Sequence, residues 1–417
     1  MNLFPIFEAL STGLVVLTTI CYFYQIIYLI LPLILRDKPH GPEKLNRYAI
    51  LIAARNEEAV LPHLLRSIHA QDYPRHLIRT FVVADNCTDR TAALAEAEGA
   101  TVFQRFNKNQ IGKGYALNYL LGRIDETEGL DNFDAFLIFD ADNLLEPDYV
   151  RQMNRVCSDG YDAFCGYRNS KNFGANWLSA GYGLWYLHDC VHLNRSRMRL
   201  GTTCAVNGTG FGFTRDLLRR THGWQFFTLT EDIEFRTWCA THGVRIGYSH
   251  DAVLFDEQPV TLSLSARQRT RWVQGGIQVS LRYCLDYWKG ILKGGRTAWA
   301  SFESATQSIW GYGLSAVSFL CRMLVILLAS RWMGLLEALL LTAASGYASI
   351  FIVGALTVAA ERRRIRATRK ELLLSLVTYP VYVFSYIPIA VASVFCKREW
   401  KPIAHTVAVP ISRMQNI

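Results

Sequence analysis

Two carboxylates lie two residues apart in the run Phe139-Asp140-Ala-Asp142-Asn143, directly after an apolar segment. Side chains of this type and spacing suit one Mg²⁺ or Mn²⁺ ion, held between protein oxygens and phosphate oxygens. A divalent ion in that place neutralises the charge that develops on a diphosphate leaving group. Acidic turns exposed to solvent are also common, so the spacing alone leaves both interpretations open.

A second acidic group, Asp85 to Asp89, follows the apolar run 81–84. A carboxylate at the end of a strand can accept hydrogen bonds from a nucleotide base or a ribose hydroxyl. The alternative is the cap of a following helix. Both interpretations hold if Asp89 caps the helix while Asp85 binds the base or the ribose.

The third motif is Lys113, which lies between two glycines at the start of a predicted helix. Helix N-termini bind anions, so a phosphate contact is one interpretation. The spacing of a P-loop is missing, and an ordinary turn into a helix is the alternative.

The acidic pair Glu231-Asp232 follows Thr230. A carboxylate here can accept the proton of an attacking hydroxyl as a general base. By itself, however, a Thr-Glu-Asp triplet is more typical of a helix N-terminus.

The last motif places Gln268, Arg271 and Trp272 on neighbouring turns of a predicted helix. Arginine can bind a diphosphate with two parallel hydrogen bonds, and tryptophan can stack on a sugar ring. An amphipathic helix on the membrane surface is the alternative, and the two interpretations are compatible.

Alternating strand and helix patterns lie around these motifs. This alternation predicts an α/β domain with a mainly parallel sheet, in which ligands bind at the carboxyl ends of the strands. The predicted strands are 48–54, 80–84, 101–104 and 135–139, and the predicted helices are 57–70, 89–98 and 112–123.

Long apolar segments predict a membrane protein. Charged residues make up 19% of the 417 residues, against about 25% in soluble domains. The ten cysteines show no metal-binding or redox spacing and are expected to be reduced thiols. Uncharged or nearly uncharged segments, each long enough to cross a bilayer, are 9–35, 304–330, 338–360 and 372–396.

Charge near these segments predicts the orientation. The net charge is +9, and six of the ten residues 361–370 are basic. The positive-inside rule places these residues and the central domain in the cytoplasm. Arg322 interrupts one apolar segment and is either a functional residue or an interfacial one. Pro380 and Pro388 predict a broken or re-entrant last segment, whose direction the sequence leaves open.

Taken in order, the five motifs resemble those of family-2 glycosyltransferases, most closely the membrane-integrated, processive synthases of hyaluronan, chitin, cellulose and poly-N-acetylglucosamine. The resemblance implies a GT-A nucleotide-sugar transferase domain between N-terminal and C-terminal transmembrane helices. The implied domains are an anchor at 1–36, a cytoplasmic glycosyltransferase domain at 47–276, amphipathic interface helices at 277–303, transmembrane segments at 304–400 and a tail at 401–417.

The resemblance also implies a role for each matching residue. Asp232 would be the catalytic base, and Asp140 and Asp142 would hold Mg²⁺ or Mn²⁺. The donor site would comprise Ala54, Glu57, Asp85, Lys113, Asp140, Gln268, Arg271 and Trp272, and the acceptor site Glu231, Gly208, Thr209 and Trp272. Ala53 and Ala84 depart from the family pattern, which often has proline and aspartate there.

The predicted function is inverting transfer from a UDP-sugar, UDP-GlcNAc in preference to UDP-Glc, onto a growing β-linked polysaccharide with translocation across the cell membrane. The alternatives are a single-step transferase with a lipid acceptor and a non-enzymatic nucleotide-sugar-binding scaffold. Expected partners are the donor, a glycan or lipid acceptor, the bilayer and an accessory export subunit. Nucleic acid is not expected, because the basic residues cluster at membrane edges.

Overall fold

Apolar segments in the N-terminal half form the parallel part of a mixed eight-stranded sheet. The computed structural model describes residues 4–395, 405 and 407–415, without the side chains of 330–332 and 415. The strands are β1 Tyr48–Ala54, β2 Ile78–Asp85, β3 Thr101–Arg105, β4 Ala135–Asp140, β5 Leu144–Leu145, β6 Ala163–Ser170, β7 Phe211–Thr214 and β8 Ile246–Asp256.

The order across the sheet is β3-β2-β1-β4-β7-β6-β8-β5. Strands β1 to β4 are parallel, whereas β7 is antiparallel to both of its neighbours. Strand β6 pairs parallel with β8, and β5 pairs antiparallel with β8. The predicted α/β class and GT-A-like fold are confirmed, and the parallel half is the part that the sequence pattern predicted.

Sixteen α-helices are described. They are α1 Phe4–Ile34, α2 Leu61–His69, α3 Thr91–Ala97, α4 Lys113–Thr127, α5 Tyr149–Ser158, α6 Trp177–His188, α7 Arg195–Leu200, α8 Arg215–Arg220, α9 Glu231–His242, α10 Leu262–Arg282, α11 Cys284–Leu292, α12 Gly295–Thr306, α13 Ile309–Glu361, α14 Arg369–Phe384, α15 Tyr386–Phe395 and α16 Ser412–Gln415. A π-helix, Asp189–Asn194, joins α6 to α7.

Two apolar cores cover the two faces of the sheet. Alternate residues of one strand point to opposite faces, so Leu51 lies in the core with α4 and α6, whereas Ile50 lies in the core with α2 and α5. Helix α2 begins later than predicted, because residues 57–60 form a turn and Pro62 lies in the first helical turn.

Four helical segments are long and apolar enough to span a membrane: Phe4–Ile34, Ile309–Ala329, Met333–Glu361 and Arg369–Phe395. The second and third are parts of α13, and Arg322 is exposed on its surface. The fourth is interrupted at Ser385, between the two prolines that predicted a break. Residue 396, where the predicted segment ends, and the basic residues 397, 398 and 401 lie outside the described residues.

Two predicted domain boundaries do not coincide with helix ends. The boundary after Gly276 falls inside α10, and the boundary after Glu303 falls inside α12. The change from polar to apolar composition in this region therefore does not end either helix. The nine cysteines in the described part of the chain are free thiols, and Cys396 lies outside it.

Candidate active site

The carboxyl ends of three parallel strands form one edge of the site. Strand register places Ala53 opposite Asp140 and Ala54 opposite Ala84, so the ends of β1, β2 and β4 lie side by side. Asp85 follows Ala84 and is 6% exposed. The sheet thus brings the donor-site candidates Ala54, Asp85 and Asp140 to the same edge, where α/β folds bind ligands.

Lys113 connects this edge of the sheet to residues 207–210, the candidate acceptor loop. Its ammonium donates to Asp140 Oδ1 and, at 2.8 Å, to the carbonyl of Gly208. Glu231 Oε1 lies 4.0 Å from the same nitrogen. Burial opposes the charge on Lys113, but the carboxylates of Asp140, Glu231 and Asp232 outweigh it and raise the pKa of the ammonium. A stable positive charge therefore lies between the strand ends and the loop.

The turn after β4 is held by hydrogen bonds to a neighbouring hydroxyl and a neighbouring amide. The Asp140 amide donates to Thr209 Oγ1 at 2.9 Å, and Thr209 donates to Asn143 Oδ1. Asp142 is 2% exposed and accepts the Glu257 amide at 3.1 Å. The backbone at Asp140 is therefore bonded directly to the acceptor-site candidate Thr209, whereas the Asp142 carboxylate is held by the Glu257 amide.

Only part of a metal coordination shell comes from the protein at this turn. The described residues contain no group of three or more His, Cys, Asp or Glu side chains arranged to hold an ion. Mg²⁺ is typically bound by one or two carboxylates together with substrate phosphates and water. Asp140 and Asp142 fit that mode, because Asp140 ends β4 beside the Lys113 ammonium and Asp142 follows it by two residues.

The first turn of α9 provides two acidic side chains in different surroundings. Glu231 is 5% exposed, and burial followed by the nearby Asp232 raises its pKa to about 7, although Lys113 and Arg271 oppose the shift. Asp232 is partly exposed and faces the acceptor loop: its Oδ2 would be 3.7 Å from a Cβ built on Gly208. Asp232 is thus the accessible member of the pair.

Helix α10 places Arg271 beside α9 and Trp272 against α6. Arg271 Nη1 donates to the Leu229 carbonyl at 3.4 Å, just before α9. Gly275 allows close packing, since a Cβ there would be 2.4 Å from Thr230 Oγ1. Trp272 packs edge-on against Tyr182 at 6.0 Å between ring centroids. The buried Gln268 Oε1 has no hydrogen-bond partner among the described residues, so the structure does not connect it directly to the strand ends.

Sequence reasoning missed two arginines that neutralise acidic groups of the site. Arg105, at the end of β3, donates to Asp85 Oδ1 at 2.6 Å, and both side chains are buried. Arg168 donates from Nε to Asp256 Oδ2 at 3.0 Å and from Nη1 to the Asn207 carbonyl at 2.6 Å. Register explains the first pair, because β3 places Arg105 directly opposite Asp85. Neither arginine belongs to a recognisable motif.

A histidine from the C-terminal tail contacts Glu57, one of the donor-site candidates. His405 Nδ1 lies 2.9 Å from Glu57 Oε1, and the Val407 amide donates to Glu257 Oε2 at 2.9 Å. Burial lowers the affinity of His405 for a proton, but Asp142, Glu57 and Glu257 together raise its pKa to about 10. The sequence offered no signal for this contact, because 348 residues separate the partners.

Comparison with known proteins shows which family the central domain belongs to. Residues 46–275, more than half of the chain, match the family model described as glycosyltransferase like family 2. The β-monoglucosyldiacylglycerol synthase of Nostoc sp. is 31% identical over 60% of this chain and 53% of its own length. The enzyme of that name from Synechocystis sp. is 29% identical over 58% and 49%.

More distant similarities point to the same fold. The poly-β-1,6-N-acetyl-D-glucosamine synthase of Staphylococcus aureus is 25% identical over 60% of this chain and 59% of its own length. The chain thus spans about half the length of the curated relatives it matches. The mannosyltransferase PcManGT from Pyrobaculum calidifontis, in complex with GDP-Man and Mn²⁺, superposes with a TM-score of 0.55 at 18% identity, over 93% of this chain and 99% of that chain. The chain therefore belongs to glycosyltransferase-like family 2.

Proposed function

We propose that this protein transfers a sugar from a UDP-sugar to an acceptor hydroxyl at the membrane surface, with inversion at the anomeric carbon. One observation carries the proposal. The Lys113 ammonium contacts a candidate donor-site carboxylate, Asp140, and the candidate acceptor loop at Gly208. Donor and acceptor therefore meet within the reach of one side chain, beside the α9 carboxylates.

In the proposed reaction, Asp232 accepts the proton of the acceptor hydroxyl while the oxygen attacks C1 of the sugar. The bond from C1 to the β-phosphate oxygen breaks on the opposite face, and UDP leaves with the electron pair. An α-linked donor thus gives a β-glycoside. Proton transfer to a positioned base contributes roughly 10²–10⁴ in rate. In this proposal the ammonium of Lys113 and the guanidinium of Arg271 stabilise the charge on the leaving diphosphate.

Asp140 and Asp142 are the proposed ligands of a divalent cation, Mg²⁺ or Mn²⁺. When bound, such an ion supplies Lewis-acid stabilisation of the diphosphate. The proposal is supported by the two carboxylates on one turn and by the Mn²⁺ in the mannosyltransferase complex of similar fold. Removal of divalent ions with EDTA is expected to abolish transfer, and Mn²⁺ or Mg²⁺ is expected to restore it. Full activity in EDTA would contradict the metal proposal.

The comparisons favour a lipid acceptor and a glucosyl donor. The relatives with 29–31% identity are β-monoglucosyldiacylglycerol synthases, whereas the poly-N-acetylglucosamine synthase is 25% identical. The site also lies against the apolar helices: Gln274 of α10 donates to the Ser393 carbonyl of α15 at 3.3 Å. A hydroxyl carried on a membrane lipid is therefore the first candidate acceptor. Processive polymer synthesis from UDP-GlcNAc, the expectation from the sequence, is the second candidate and is supported by the synthase similarity.

One assay separates these candidates. Purified protein in lipid nanodiscs is incubated with radiolabelled UDP-glucose or UDP-GlcNAc, with and without diacylglycerol, and the products are separated by thin-layer and size-exclusion chromatography. A labelled glycolipid with one sugar supports the lipid acceptor, and high-mass product supports processive synthesis. Nucleotide-sugar binding without any transfer would support the scaffold alternative and overturn the proposed enzyme.

The proposed location is the cell membrane, with the catalytic domain on the cytoplasmic side. The end of α13 and a basic residue after it contact the domain: Glu361 accepts a hydrogen bond from Tyr167 at 2.9 Å, and Arg364 pairs with Asp251. The positive-inside rule then places the domain in the cytoplasm. Reporter fusions after Glu361 test this orientation, and alkaline phosphatase activity there would contradict it.

Helices α10 and α11 provide a candidate surface for contact with the head-group region. Their exposed apolar residues recur every three or four positions, which forms one stripe. The stripe consists of Leu281, Leu285, Trp288 and Leu292, each at least 60% exposed. An exposed apolar stripe at helical spacing is typical of interfacial binding, which supports the amphipathic interface predicted for 277–303.

A further inference from the structure

The acceptor loop, residues 207–210, contains two glycines and is held by side chains outside it. Gly208 and Gly210 both adopt positive φ, +84° and +62°, which glycine tolerates best. Between them, Thr209 is bonded to the turn after β4. Before them, Asn207 Nδ2 donates to Asp189 Oδ2 at 2.6 Å. The Gly208 carbonyl, which accepts from Lys113, therefore lies between two anchored residues.

Asp189 begins the π-helix that joins α6 to α7, and it is one member of a buried ionic network. Arg197, 2% exposed, lies 3.7 Å from Asp189 Oδ1 and donates from Nε to Glu303 Oε1 at 2.7 Å. Asn194 accepts from Arg197 at 2.9 Å and from the Ala205 amide at 2.7 Å. The network thus reaches the acceptor loop through both Asn207 and the Ala205 backbone. π-Helical turns are rare and occur frequently at functional sites.

At its other end the network reaches the first apolar helix. Tyr28 of α1, 1% exposed, donates to Glu303 Oε2 at 3.3 Å. Trp299 Nε1 donates to the Tyr28 hydroxyl at 3.0 Å. Glu303 itself is 4% exposed on α12. An unbroken series of polar contacts therefore runs from α1 through Glu303, Arg197 and Asp189 to Asn207, one residue before Gly208.

Stability alone does not explain this network. Replacing a buried ionic cluster by apolar side chains is often neutral or stabilising, because the charges lose their hydration. Buried polar networks whose groups are satisfied hold their members in one geometry. Here the member nearest to the reaction is a loop with two glycines at positive φ, which Arg168 also holds through the Asn207 carbonyl at 2.6 Å.

We propose that Asp189, oriented by Arg197 and Glu303, is a positioning residue that holds Asn207 and thereby places the Gly208 carbonyl opposite Lys113. The network fixes the acceptor loop relative to the first membrane helix. A displacement of α1 or α12 would then move the acceptor side of the site. The proposal rests on the proposed function only for its kinetic consequence, since the position of the loop is a structural property of the chain.

Hydrogen–deuterium exchange of the full-length protein in detergent tests the proposal without substrate. Glu303→Gln replaces the charged acceptor of Arg197 with a neutral amide, at a site away from the loop. The weaker hydrogen bond is expected to accelerate exchange in the peptide 203–210 about tenfold. The matched control is Glu361→Gln, a glutamate that is 5% exposed and bonds to Tyr167 at the end of α13. This control should leave the loop peptide unchanged.

A second variant, Asn207→Ala, removes the last link directly and keeps the test valid if Glu303→Gln does not fold. The double variant should exchange no faster in the loop than Asn207→Ala alone, because both changes interrupt the same series of contacts. Additive effects, or an unchanged loop in Glu303→Gln, would overturn the proposal.

The transfer assay adds a readout that a purely structural role would not affect. Both single variants should lower kcat at least fivefold, while their Tm falls no further than that of Glu361→Gln. A mobile loop with wild-type kcat would overturn the positioning role. Failure of all variants and of wild type to transfer sugar would instead refute the proposed function and leave the exchange result standing.

Discussion

Two adjacent glycines in α10 give a sharp test of how the candidate site is assembled. A Cβ at Gly275 would be 2.4 Å from Thr230 Oγ1 and 2.6 Å from Thr230 Cγ2, whereas a Cβ at Gly276 would meet nothing within 4 Å. Thr230 directly precedes Glu231 and Asp232. Gly275→Ala therefore pushes the helix that contains Arg271 away from the helix that contains the proposed base.

The contact at Gly275 is about 1 Å shorter than an ordinary van der Waals contact of 3.4 Å. Overpacking of this kind costs roughly 1–3 kcal/mol. Both substitutions gain about 1 kcal/mol from the higher helix propensity of alanine. The difference between the two variants therefore isolates the overpacking cost. A misplacement of about 1 Å in a catalytic site lowers the rate roughly 100-fold, so Gly275→Ala should lose most of its activity.

Thermal unfolding in detergent and initial rates of sugar transfer are the two measurements. One kcal/mol corresponds to roughly 2–4 °C in Tm for a domain of this size. Gly276→Ala should unfold at or above the wild-type temperature with wild-type activity, and Gly275→Ala should unfold several degrees below Gly276→Ala. Thr230→Ala should partly rescue Gly275→Ala, because it removes the two nearest atoms and leaves a Cβ contact of 2.9 Å. Equal behaviour of the two glycine variants would refute the packing argument.

Three further outcomes are expected. Lys113→Met should lower kcat/KM for transfer about 100-fold or more, and a loss below tenfold would contradict its proposed contact with the diphosphate. Asp232→Asn should lower kcat by roughly 10²–10⁴ with donor binding retained, as measured by calorimetric titration with the UDP-sugar. The pKa of Glu231 in the folded protein is raised to about 7, so protonated Glu231 stabilises the folded state at low pH, and this contribution is lost as pH rises from about 4.5 through 7. Without donor or metal, Glu231→Gln should therefore raise Tm relative to wild type more at pH 8 than at pH 5. A difference in Tm that does not depend on pH would contradict this.

The parallel half of the sheet was predictable because local patterns dominate there. Apolar runs that end in Asp85 and Asp140 form strands, and parallel pairing with β1 places the ends of these strands side by side. The second half was not predicted: the longer strands β6 and β8 interrupt their apolar residues with polar ones, and β5 has two residues and β7 has four. Such short strands take their conformation from neighbouring strands, and their own sequence contains little periodicity.

The chain of amino acids by itself determined the acidic and basic residue types of the site, the fold class and the apolar segments, because each of these is encoded by a contiguous pattern. Tertiary structure alone decided which charges neutralise one another. Arg105 meets Asp85, His405 meets Glu57, and Arg197 meets Glu303 only after the sheet and the apolar helices have packed. The physical reason is that electrostatic interaction depends on distance and burial, and separations of 20, 348 and 106 residues along the chain specify neither.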